Sequence, residues 1–174
     1  MIIVLLALFI STNISADNIN MKAYADLNFG DSFSTIKDKC KNSDEIEIHF
    51  DKAFVKIEDV DYQLIFYLYE DQLIQIICKG ETINGDFGNS ELNEQRDKLV
   101  DKISAIYGPP TDVNNSNYQW VGDFYMQYTD KWLMGNKHIY VGLCKDDMDY
   151  FNSFIIRHVS MYNEAITANK ISNF

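Results

Sequence analysis

The chain has 174 residues, 47% of them hydrophobic, which suits one domain or two small related ones and excludes a disordered protein. Its 26 acidic against 15 basic side chains leave a net charge of −11, and the excess comes early: residues 17–90 hold 15 acids and 7 bases, residues 91–174 hold 11 and 8. Such a field repels phosphate backbones and anionic lipid, so the expected partner is a protein with a basic surface, and not nucleic acid.

Residues 1–16 read as a secretory signal. Residues 2–10 are an unbroken apolar run, and Ala16 is the small residue that cleavage requires, although no Lys or Arg precedes the run. The run is too short to cross a bilayer, which takes about 20 residues. The expectation is a periplasmic or secreted protein with no transmembrane span, and no cysteine near Ala16 offers a site for lipid.

After it, residues 17–80 form the first expected unit. Asp31 or Ser32 can cap a helix of two to three turns that sets Phe33, Ile36 and Cys40 on one face. Strands are expected at residues 45–50, with Ile46, Ile48 and Phe50 on one face, and at 53–58, with Val55 and Ile57. The central hairpin follows, its arms at residues 62–69 and 73–78 joined through Glu70, Asp71 and Gln72. Aromatic and β-branched residues occupy both parities of its first arm, which predicts that both faces of that strand are covered or used.

Residues 81–90, rich in Gly and Asn, read as a linker, and residues 91–159 as a second unit of the same plan. Asn89 or Ser90 caps a longer helix with Glu91 and Glu94 in its first turn and an apolar stripe of Leu92, Leu99, Val100, Ile103, Ile106 and Tyr107. Gly108, Pro109 and Pro110 stop it. Strands are expected at 118–121, 124–129, 137–144 and 153–159, and residues 160–174 as a tail with at most one helical turn. The predicted fold class is therefore α+β, as two tandem units of one helix plus a four-stranded antiparallel sheet.

The segment Phe29-Gly30-Asp31-Ser32 before the first helix, and Ile106-Tyr107-Gly108-Pro109-Pro110 after the second, resemble the helix punctuation of secreted bacterial proteins of the β-lactamase inhibitory protein type. The helix-then-hairpin plan is also similar to that of the small lipoprotein of the outer-membrane assembly machine. The resemblance implies a tandem fold whose sheet presents a concave, aromatic-bearing face to another protein. It brings no inhibitory hot spot that matches residue by residue.

No catalytic, dinucleotide or phosphate-binding motif is present, so the reading is not an enzyme, with no cofactor and no metal. His49, His138 and His158 each fall on a predicted strand and read as ordinary imidazoles. His138 and Cys144 lie about 20 Å apart along one strand, too far to form a nucleophile pair. Residues 145–152 gather three carboxylates and an amide but lack the Gly and terminal Glu of a calcium loop, and read as a solvated hairpin.

Three cysteines in an exported chain predict one disulfide and one thiol, here Cys40 to Cys78 with Cys144 free, closing a loop of about 39 residues and adding about 2–4 kcal/mol. Parity leaves the face of Cys78 open: a three-residue turn sets it with Leu64 and Phe66, a two-residue turn with Ile65 and Tyr67.

Tyr67, Tyr69, Tyr125 and Tyr140 alternate with aliphatic neighbours on the expected strands. With Trp120 and Trp132 they form the candidate binding set, on the sheet face turned away from the helices. The opposing reading makes them core or sheet-edge packing. The functional expectation is an exported protein-binding module, an inhibitor, immunity or envelope-assembly factor, with aromatic anchors in acidic surroundings. The alternatives are a structural envelope protein or small apolar-ligand carrier with a pocket between helix and sheet, and a hydrolase of unseen type.

Overall fold

The computed structural model describes residues 21–49, 52–84, 90–113, 118–121, 124–146 and 149–173; the expected signal and residues 85–89 of the expected linker lie outside them. A hairpin of β1 (Lys22–Tyr24) and β2 (Leu27–Asn28) precedes α1 (Phe33–Lys41). There follow β3 (Ile46–His49), β4 (Lys52–Ile57), β5 (Val60–Tyr69), β6 (Gln72–Lys79) and β7 (Ile83–Asn84). After α2 (Ser90–Tyr107) come β8 (Asp112–Val113), β9 (Tyr118–Val121), β10 (Phe124–Met134), β11 (Lys137–Asp146) and β12 (Asp149–His158), then α3 (Val159–Ala168) and β13 (Ser172–Asn173).

The fold is α+β, with an antiparallel sheet in the order β3-β4-β5-β6-β12-β11-β10-β8, onto which β7, β9 and β13 add. The strands before and after α2 thus join edge to edge through β6 and β12, with Ile77 opposite Ile155 and Cys78 opposite Phe154. The residues expected to link two units include β7, whose Ile83 pairs with Tyr150 of β12.

Each helix is set by its ends. The Ser32 hydroxyl accepts the Thr35 amide at 3.3 Å, and Asp71, in the turn of the central hairpin, accepts the Phe33 amide at 3.0 Å, so the first turn of α1 is fixed to that hairpin. α2 buries Leu92, Leu99 and Ile103, whereas Ile106, on the same stripe, is exposed. Gly108 ends it at φ +81°, a conformation that suits glycine, and donates its amide to the Ser104 carbonyl at 2.9 Å. The expected tail is instead a ten-residue helix, α3, capped by His158, whose ring accepts the Met161 amide. β13 then returns to pair with β5 at Leu68 and Tyr67.

One large core fills the face under α1 and α2. It runs from Ile46 through Val55, Tyr62, Leu64 and Phe66 to Cys78, Phe154, Val141 and Trp132, and takes in Ile36 and Cys40 of α1 and Leu99 and Ile103 of α2. Lys137 is buried in this layer. Its ammonium donates to the carbonyls of Lys22 at 2.7 Å and Ala23 at 3.3 Å and to the Tyr107 hydroxyl at 2.8 Å, tying β1 and the end of α2 to β11. Burial lowers its pKa to about 8.

Two irregularities decide which side chains face the helices. The central turn has two residues, Glu70 and Asp71 at φ 50° and 59°, but a bulge follows: Tyr67 pairs with Gln75 and Leu68 with Leu73, leaving Ile74 as the extra residue. Cys78 therefore stands opposite Leu64 on the helix face. In β10 the register shifts between Tyr128, opposite Gly142, and Asp130, opposite Val141. Met126 and Tyr128 fall on one face and Trp132, opposite Ile139, on the other.

Candidate functional site

The face turned away from α1 and α2 carries a second, smaller cluster: Ile77, Met126, Tyr128, Cys144, Phe151 and Ile155 are buried, with Ile65, Tyr67 and Tyr140 packed around them. These residues alternate with those of the main core along the same strands, and in β10 the bulge after Tyr128 sets where the alternation changes face. Tyr140 lies 5.0 Å from Tyr128, ring to ring. Burial pushes the Tyr128 hydroxyl up to about 12 and raises Tyr140, so both remain neutral donors at physiological pH.

At one end of this face sits Arg157. Its guanidinium stacks on the Tyr162 ring of α3 at 3.7 Å and faces Tyr140 at 5.4 Å, and its Nε donates to the Gln75 side-chain oxygen at 2.6 Å. The guanidinium thus lies near two aromatic rings, whose faces favour its positive charge. His138 shares a hydrogen bond of 2.9 Å with the Tyr140 hydroxyl, and burial lowers its pKa. The ring is therefore largely neutral at physiological pH. Near the other end a cleft of about 430 Å³ is lined by Glu47, Asp61 and Glu81 with Lys56 and Lys79, a mixed and polar surface.

The structure divides the candidate residues. Tyr67 and Tyr140 share the face away from α1 and α2 as half-buried rings around the small cluster. Tyr69, two residues along the same strand, is partly exposed, and the charges of Glu70 and Glu164 lie close to its hydroxyl. Trp132 does not belong with them: it is 1% exposed in the main core, with its indole donating to the Gly108 carbonyl at 2.8 Å, because the β10 bulge turns it toward α2. Tyr125 pairs with Trp120 and Lys145 in the backbone register, but the Tyr125 and Trp120 side chains lie outside the described residues. Arg157, Gln75 and Tyr162 were not among the sequence candidates. A lone basic residue on a strand of mixed hydrophobics was the available signal.

The expected disulfide is corrected. Cys40, Cys78 and Cys144 are buried free thiols, all with pKa values raised by burial. Cys40 on α1 shares a groove with Ala53 and Leu64, and Cys78 on β6 stands opposite Leu64 in the same core, yet the two are not bonded. Cys144 points to the opposite face from Cys78, and the sheet separates them. His49 is exposed beside Glu47 at 3.0 Å. Among the described residues no group of side chains is arranged to hold a metal ion, and no helix is long and apolar enough to cross a membrane. No family model, curated protein or solved structure matches this chain.

Proposed function

We propose that the protein is an exported binding module, acting outside the cytoplasm, periplasmic or secreted, that grips a protein partner through the sheet face bearing Tyr67, Tyr69 and Tyr140. The observation that carries this reading is the half-buried tyrosine collar around an apolar cluster, on the face that α1 and α2 leave uncovered. Tyrosines with a packed base and a reachable hydroxyl bind at low entropic cost, because their rotamers are already restricted. Arg157, oriented between Tyr140 and Tyr162, adds a fixed donor for one acidic or carbonyl group of that partner.

The wider surface is acidic, most of all in the first half of the chain, which favours a partner with a basic surface and disfavours nucleic acid. We read the chain as two tandem units, β3 to β6 with α1 and β8 to β12 with α2, on the ground that the strand order is mirrored about the β6–β12 seam. Pull-down from envelope extract tests the proposal. The Tyr69→Ala/Arg157→Gln variant should lose a partner that wild-type protein and an Ile106→Ser control, altered on the helix side, both retain. Retention by the double variant, or equal loss by the control, contradicts it.

A further inference from the structure

Between α1 and the strands β3, β4 and β5 lies a groove of about 600 Å³, within the range of small-molecule sites. Its lining includes Ile36, Cys40, Ala53, Leu64 and Phe66, all core side chains less than a tenth exposed. Phe33 at 38% and Ile48 at 44% exposure also line it, two large apolar side chains that stay more than a third exposed. Such exposure at a cavity is what an apolar ligand would relieve.

The charge of this groove opposes that of the molecule. In a chain of net charge −11, its lining contains Lys37, Lys41 and Lys52 and, among the described residues, no carboxylate. Lys37 and Lys41 are one turn apart on α1, and the Lys37 ammonium lies 5.3 Å from the Phe33 ring centre. The neighbouring Lys39 is neutralised by Asp31 at 2.8 Å, whereas Lys37, Lys41 and Lys52 make no ion pair among the described residues. An apolar floor with unpaired cations at its rim is complementary to an anionic head joined to a hydrocarbon chain.

We propose that this groove binds a single-chain anionic amphiphile, a long-chain carboxylate, with its chain against Ile36, Leu64 and Phe66 and its head at Lys37 and Lys41. The site lies on the opposite side of the sheet from Tyr67 and Tyr140 and does not rest on the protein-binding reading. The local excess of lysine overcomes the general repulsion because screening confines the wider field to about 10 Å at ordinary ionic strength.

Titration with octanoate, decanoate and dodecanoate below their micelle concentrations, followed by calorimetry and by the carbon-13 shift of a labelled carboxyl, tests the assignment. One molecule should bind per chain, with affinity rising about fourfold for each methylene added. Lys37→Gln/Lys41→Gln, two surface changes that leave the core intact, should weaken dodecanoate about tenfold and leave dodecanol unaffected, as expected of two partly exposed ion pairs. Ile48→Glu, which sets a carboxylate at the mouth, should weaken dodecanoate as well. Dodecylammonium binding as tightly as dodecanoate, or affinity independent of chain length, overturns the proposal. So does binding only to phosphatidylglycerol vesicles, which would make the groove a membrane contact. Concentration-dependent dimerisation that Ile48→Glu abolishes, with no dodecanoate bound, would give the groove to a second copy of the chain and likewise overturn it.

Discussion

The two faces of the sheet are built from alternate residues of the same strands, yet they have become different materials. Under α1 and α2, Leu64, Phe66, Ile76, Val141, Phe154 and Trp132 join one continuous aliphatic and aromatic core. On the other side the buried cluster is small, and its surroundings are tyrosines, Arg157 and Gln75, side chains with an apolar body and a polar end. The difference shows how one strand pattern can build two unlike faces, one of which the proposed function assigns to recognition. Positions under α1 and α2 pack as core, and those on the other face, partly under α3, keep side chains with polar ends.

The comparison breaks most strongly at Trp132. Trp132→Ala should cost about 3–5 kcal/mol in chemical denaturation, from the cavity it leaves in the helix-side core. A loss under about 1 kcal/mol would mean that this ring is not core and that the β10 bulge does not turn it as described.

Lys137 gives the next effect. Lys137→Met leaves the Lys22 and Ala23 carbonyls without their donor and should cost about 1–3 kcal/mol at neutral pH, with earlier protease cleavage near the N-terminal hairpin. Because burial lowers the folded pKa to about 8 from an ordinary 10.5, the unfolded chain holds more protons between those values. Wild-type stability relative to Lys137→Met should therefore rise as pH increases from about 8 to 10.5. A gap that stays constant through that window would show that the ammonium is not desolvated.

The buried and half-buried tyrosines act in the opposite direction. Tyr24, Tyr62 and Tyr128 have raised folded pKa values, with Tyr128 pushed to about 12 from an ordinary 10.0. The stability they contribute is complete below the ordinary value and is lost as pH climbs through the folded ones. Absorbance of tyrosinate should rise late and together with unfolding, whereas a smooth titration centred near pH 10 would place these rings in water.

Much of the helix framework was legible from local chemistry. Ser32 caps α1, Gly108 and the following prolines end α2, and Leu92, Leu99 and Ile103 repeat at helical spacing. The central hairpin was equally plain from its β-rich arms. What the sequence did not carry was register. The turn at Glu70 and Asp71 has two residues, which by parity alone would put Cys78 with Ile65, but the extra residue Ile74 reverses that and places it with Leu64. The β10 bulge did the same to Trp132, and close packing holds it: a Cβ on Gly142 would collide with the Gln127 carbonyl oxygen across the strand pair. Simple alternation cannot foresee an inserted residue. α3 was missed for a different reason, since its buried contact is chiefly Ala165 and much of its fixing comes from Tyr162 on Arg157 and from the His158 cap, all non-periodic signals. The candidate site was half readable: Tyr67, Tyr69 and Tyr140 share a face, whereas the guanidinium between Tyr140 and Tyr162 depends on a helix that folds back over the sheet.

The central claim, that the tyrosine-bearing face meets the partner and the helix side does not, is tested most directly by site-specific photo-crosslinking in intact cells. A photoreactive phenylalanine analogue in place of Tyr69 should yield a discrete covalent adduct, while the same analogue in place of Ile106, 67% exposed on α2, should yield none. An adduct from position 106 and none from position 69 would contradict the account and move the binding surface to the opposite side of the sheet.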